Sequence, residues 1–128
     1  MSVPFAIAAG AAIGALLRHY FSHFVMIVMG TSFPWGTLFV NVLGSAVLGF
    51  LVAWFAQKGG ISTDVRAFLV VGALGSFTTF SAFSLEATLL LERGAYALSG
   101  AYIAGSVLLS IGGLMAGLFI GRQLTAVF

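Results

Sequence analysis

Cysteine is absent from all 128 residues, which excludes disulfides and thiolate metal sites and leaves the redox compartment unconstrained. Charge is nearly as scarce, with five Lys and Arg and three Asp and Glu making up 6% of the chain. A pI near 9.5 that rests on so few groups does not point to nucleic acid, and no such partner is expected. No basic residue precedes Arg18, and no compact apolar core is followed by a clear cleavage site. The N-terminus therefore does not read as a cleavable signal peptide and is expected to be the first helix itself. No nucleophile, base and orienting group stand in a recognisable arrangement, so the chain is not expected to be an enzyme.

What is present is apolar. Hydrophobic residues make up 61% of the chain, and the mean hydropathy is +1.17, values that leave a soluble domain of this size too little polar surface. Crossing hydrocarbon takes about 20 apolar residues per helix. Four low-charge stretches of that size can be drawn, near Val3 to Met29, Leu38 to Phe55, Val65 to Leu91 and Ala95 to Ile120. Connectors take nearly everything left over. The expectation is an all-α integral membrane protein, one domain over residues 1–128 with four transmembrane helices.

Counted by side, Lys58, Arg66 and Arg122 fall with the N-terminus, and Arg93, with Arg18, falls opposite. Basic excess in short loops orients membrane proteins, and a difference this small barely chooses. Two readings stay open: insertion both ways, which permits an antiparallel dimer of identical chains, or one orientation fixed by the loop holding Lys58 and Arg66.

Since charge is so rare, each polar residue at membrane depth is a question. In "GAAIGALLRHY", Gly10, Gly14 and Arg18 share one helical face. The glycines suit close helix approach. Arg18, some fifteen residues into its span, must snorkel, pair or face water, and a positive charge at a vestibule would attract anions. His19 and His23 read as interfacial. In "PWGTLFVNVLGSAVLG", Pro34 suits a helix start and Trp35 the membrane interface. Thr37, Asn41, Gly44 and Ser45 then fall on one arc. The Asn41 amide carries two donors and an acceptor, fit either to join two helices or to donate to a bound anion.

The stretch "GALGSFTTFSAFSLE", from Gly72 to Glu86, does not suit a lipid-facing helix. Gly72, Gly75 and Ser76 predict a break in the third span, and Thr78, Thr79, Ser81 and Ser84 are placed to satisfy the freed backbone groups. Exposed carbonyls suit a small hard cation, whereas the N-terminus of the resuming half-helix suits an anion. Phe80 and Phe83 lie on one side of a helix. They are either core, or rings whose positive edges meet a small anion without holding it tightly. Glu86, if within the span, needs a partner, for which Arg18 is the candidate; Glu92 beside Arg93 reads as a loop pair. In the fourth span Tyr102, Ser106 and Ser110 recur every four residues, and Gly113, Gly117 and Gly121 continue the stripe. Hydroxyls in file can replace an ion's hydration, and the glycine half admits a neighbouring helix; a plain Ser/Gly packing seam is the alternative.

Taken in order, "GAAIGALLR", "PWGTLFVNVLGS", "GALGSFTTFSAFSLE" and the Tyr102, Ser106, Ser110 file resemble the Fluc (CrcB) fluoride channels of bacteria and archaea over nearly the whole chain. The resemblance implies an antiparallel dual-topology homodimer, a multi-pass protein of the prokaryotic plasma or inner membrane, passively releasing cytoplasmic fluoride through paired pores. It implies that Thr37, Asn41, Phe80, Phe83, Tyr102, Ser106 and Ser110 line the fluoride path, with Arg18 at the vestibule and Glu86 as a pore-proximal acid. It further implies a structural sodium ion at the dimer centre, held by backbone carbonyls of Gly75 and Thr78 from each subunit. Two positions depart from the family's pattern. Ser76 stands where a second glycine is common, leaving the break less free, and Ala82 stands where threonine is frequent, removing a hydroxyl beside the pore. The competing functional reading is a small proton-coupled exporter. Such a pump needs a titrating membrane carboxylate, and because the first two helices hold no Asp or Glu, Glu86 would have to serve.

Overall fold

A computed structural model of the chain describes residues 2–127. Helix α1 spans Val3–Met29, with proline in its first turn, where a missing N–H costs nothing, and it stops at Gly30, whose φ of 90° a side chain would disfavour. Helix α2 spans Trp35–Lys58 and stops at Gly59, φ 65°. It begins at Trp35 rather than Leu38 because Pro34 occupies the N-cap. The third span is assembled from pieces. A short helix α3, Thr63–Arg66, is capped by the Ser62 hydroxyl accepting from the Val65 N–H at 3.2 Å. It widens into a π-helical stretch, Ala67–Leu74, and tightens again as the single turn α4, Gly75–Phe77. After two extended residues, helix α5 covers Phe80–Glu92. Helix α6, Tyr96–Val127, outruns the expected end at Ile120, since a helix satisfies its own backbone whether or not lipid surrounds it. Four spans, α1, α2, Thr63–Glu92 and α6, are long and apolar enough to cross a membrane.

The break does not fall where the small residues predicted it. Gly72 stays in the π-helical stretch and Gly75 keeps ordinary helical angles, φ −61° and ψ −31°. The chain opens at Thr78 (φ −87°, ψ 156°) and Thr79 (φ −152°, ψ 116°), angles that β-branched side chains favour. Thr78 closes the first half by donating both N–H and Oγ1 to the Leu74 carbonyl, at 3.1 and 3.0 Å. Thr79 opens the second half, its Oγ1 accepting from the Ala82 N–H at 3.2 Å. Gly72 serves a different purpose. A Cβ there would lie 2.6 Å from the Ile7 carbonyl oxygen, so this glycine is what allows α1 to touch the π-helical stretch.

Gly10 and Gly14 serve the same contact from α1, where a methyl would run into the carbonyls of Phe68 and Ala73 respectively. The other seam joins α2 to α6. Gly49 meets the Leu114 carbonyl, Gly117 the Ala46 carbonyl, and a Cβ on Gly121 would sit 2.8 Å from that of Ala53. The seam predicts a graded response. A methyl on Gly113 would have the Val42 carbonyl oxygen as its nearest neighbour, 3.3 Å away. Gly113→Ala is therefore expected to leave the melting temperature of the detergent-solubilised protein nearly unchanged, whereas Gly117→Ala should destabilise it by about 1–3 kcal/mol through forced separation of α2 and α6. Equal melting temperatures for the two variants would remove this account of the seam.

Candidate functional site

Helices α2, α5 and α6 meet around Tyr102, which is 0% exposed and packs with Leu38, Ala87 and Leu90. Polar groups converge on this apolar cluster. The Thr37 hydroxyl donates to Glu86 Oε1 at 2.8 Å, and the Tyr102 hydroxyl donates to Glu86 Oε2 at 2.8 Å. A carboxylate at membrane depth is costly unless partnered, and here each oxygen has a donor from a different helix. The expected pairing of Glu86 with Arg18 does not occur. Among the described residues no Cα of α1 comes within 8 Å of one in α5; α1 lies against the half of the third span that precedes the break, and Glu86 belongs to the half that follows it. Ser99, which the sequence reading passed over, ties the same helices together by donating to the Ala87 carbonyl at 2.9 Å with no exposure at all. Its position one turn before Tyr102 was the available signal.

One turn further along α2, Asn41 reaches the break. Its Nδ2 donates to the Thr79 carbonyl at 3.0 Å, and its Oδ1 accepts from the Thr79 N–H at 2.7 Å. Of the two readings open for this amide, joining helices is therefore realised, and one N–H of the amide is left over. A cavity of about 370 Å³ opens beside it, walled by Asn41, Gly75, Thr78, Phe80, Phe83, Ser106 and Ser110. The Phe80 and Phe83 rings are 5.4 Å apart at 56°, and Phe83 continues to Tyr102 at 5.1 Å. Phe80 is 78% exposed. Ser106 Oγ and Ser110 Oγ are buried and have no hydrogen-bond partner among the described residues.

A second cavity of about 520 Å³ opens at the end of the bundle that carries the α1–α2 and α5–α6 loops, bordered by Ser22, Thr31, Thr37, Glu86, Glu92 and Arg93. Its floor is the Thr37 and Glu86 pair. Asn41 follows Thr37, and Phe83 precedes Glu86, by one helical turn, so the linings of the two cavities lie one turn apart on both α2 and α5. Of the residues singled out in the sequence, Asn41, Gly75, Thr78, Phe80, Phe83, Ser106 and Ser110 border the first cavity, Thr37 and Glu86 border the second, and Tyr102 bonds to Glu86 without lining either. Arg18, half-buried on α1, borders neither cavity.

Four apolar spans define a multi-pass membrane protein, with hydroxyls, an amide and two phenylalanine rings gathered at its cavities. Residues 5–118 match the family model described as CrcB-like protein, Camphor Resistance (CrcB), and the chain belongs to that family. It is 51% identical over 116 residues to a protein of Rhodopseudomonas palustris, covering 91% of this chain and 94% of that one. It is 48% identical over 118 residues to a protein of Agrobacterium fabrum, covering 92% and 94%. A protein of Rhodospirillum centenum is 46% identical over 126 residues, covering 98% and 100%. Each of the three is named fluoride-specific ion channel FluC. These relatives are named as channels and not as enzymes, in line with the lack of a catalytic arrangement in the sequence.

Proposed function

We propose that the protein is a passive, fluoride-selective channel through which cytoplasmic fluoride leaves the cell, working as an antiparallel homodimer with a structural sodium ion at its centre. The observation that carries this reading is the pair of buried, unpartnered hydroxyls of Ser106 and Ser110 on one cavity with the Asn41 amide and the Phe80 and Phe83 rings. Buried polar groups ordinarily have partners, and hydroxyls left open along a path are suited to something that passes. Fluoride is small and strongly hydrated, so a path that admits it must replace water with donors. Here these are the spare Asn41 N–H, the two serines and the positive ring edges. Hydrogen fluoride crosses membranes as the neutral acid and ionises in a near-neutral cytoplasm, which traps the anion; an open anion path relieves that trap without an energy source.

The homodimer is supported by Phe80, whose ring is 78% exposed beside the cavity and would be covered by a second copy. The near-even distribution of basic residues is compatible with insertion both ways. For sodium, the residues fit. Gly75 is exposed, Thr78 is extended at the break, and among the described residues no group of three His, Asp or Glu offers a carboxylate or imidazole site. Backbone carbonyls of Gly75 and Thr78 are ligands of the kind a hard cation takes.

The test is efflux from liposomes loaded with potassium fluoride or potassium chloride, with valinomycin carrying the compensating charge. Rapid fluoride release without chloride release, and without an imposed pH gradient, is expected. Fluoride that stays trapped, or moves only with a proton gradient, would overturn the channel reading. Glu86→Gln separates the same alternatives in a second way. The amide can still accept from Thr37 or Tyr102, so fluoride efflux is expected to stay within about threefold of wild type, the change that the loss of one charge-assisted bond outside the serine file supports. Complete loss of efflux would favour the proton-coupled exporter.

A further inference from the structure

The pairing of Asn41 with Thr79 does more than join α2 to the break. Both bonds go to one residue's backbone, in the manner of a neighbouring strand, and Thr79 is only 8% exposed. The Thr79 N–H belongs to the same peptide group as the Thr78 carbonyl. That group is planar and trans, so its N–H and C=O point in opposite directions. A 2.7 Å bond from this N–H to Asn41 Oδ1 consequently fixes the plane of the group and the direction in which the Thr78 oxygen points. It also polarises the peptide, because a donor already engaged makes the carbonyl at the other end a stronger acceptor.

We infer that Asn41 is a positioning residue for the carbonyl cradle at the helix break: by holding the Thr79 N–H it aims the Thr78 carbonyl and so sets the affinity for sodium. This rests on the sodium reading given above and extends it to a coupling between two sites. The same amide presents its spare N–H to the cavity, so an anion that draws on Asn41 and a cation that draws on Thr78 act on opposite ends of one hydrogen-bonded unit. Such coupling is reciprocal.

The experiment uses the full-length protein in detergent, unfolded by heat over a series of sodium chloride concentrations with N-methylglucamine chloride making up the ionic strength. Wild type is expected to gain stability as sodium rises, with a defined midpoint. Asn41→Leu, which keeps the side-chain volume but removes donor and acceptor, should raise that midpoint about tenfold, the scale of one lost hydrogen bond. Asn41→Ala, which is less prone to crowd the break, should do the same. Thr125→Ala, near the end of α6 and on neither cavity, should leave the midpoint at the wild-type value. A residue that merely held α2 to the break would lower the melting temperature equally at every sodium concentration and leave the midpoint unmoved, and that result in both Asn41 variants would overturn the inference alone. Wild type without any sodium-dependent gain would overturn the sodium reading on which it stands.

Discussion

Replacing Phe80 by isoleucine is expected to slow fluoride efflux from proteoliposomes roughly fivefold to thirtyfold while the purified protein keeps its fold and its melting temperature to within a few degrees, since a contact between a ring and an ion is worth roughly 1–2 kcal/mol. The two halves of this expectation have separate causes. Phe80 is the first residue of α5 and its ring is 78% exposed in the chain, so exchanging it for another apolar side chain forfeits little intramolecular burial. Its one ring neighbour among the described residues is Phe83, at 5.4 Å. An anion moving along the cavity wall, by contrast, loses a positive ring edge and gains a branched aliphatic surface that cannot stand in for water. Efflux at the wild-type rate would remove Phe80 from the path. A variant that is no longer folded would make packing against the second copy, and not the path, the main role of the ring.

How far such a site can be read in a sequence differs from residue to residue, for physical reasons. The spans were legible because hydrocarbon demands about 20 apolar residues whatever the tertiary fold, and α1 was legible to both ends. The close-packing face of α6 was legible too, since small residues every four positions define one helix face, but its neighbour α2 was not. The break in the third span was legible, but not the residues that make it. Glycine marks backbone freedom and close approach alike, and nothing local distinguishes Gly72 pressed against the Ile7 carbonyl from a glycine that opens a helix. The actual opening, at Thr78 and Thr79, uses β-branched residues whose hydroxyls cap both halves, and the π-helical stretch before it has no compositional signature. Thr37, Glu86 and Tyr102 were each conspicuous as polar groups at membrane depth, yet their grouping depends on the register of three helices. That is why Arg18 stands out as a partner for Glu86 in the sequence although α1 packs on the half of the third span before the break.

The double exchange Ser106→Ala and Ser110→Ala is expected to have the largest effect on conduction with the least on folding. Neither hydroxyl has a partner, and both are buried. Each lacks a protein partner among the described residues, a lack that costs a buried hydroxyl about 1–3 kcal/mol, so trimming it to a methyl should leave the melting temperature unchanged or raise it. Tyr102, next in the file, keeps its bond to Glu86 and continues to hold α5 to α6. For a passing fluoride ion the balance is reversed. A hydroxyl donating to a bare anion makes a charge-assisted bond, worth about 1.5–3 kcal/mol, so each serine removed should slow efflux roughly tenfold and the pair roughly a hundredfold. Loss of stability together with loss of flux would show that the serines pack the bundle and do not serve the ion. Gain of stability together with loss of flux is the signature of groups kept at the expense of the fold for the sake of what moves past them. Stopped-flow light scattering or a fluoride electrode reads the flux, and the melting curve of the same preparation reads the fold.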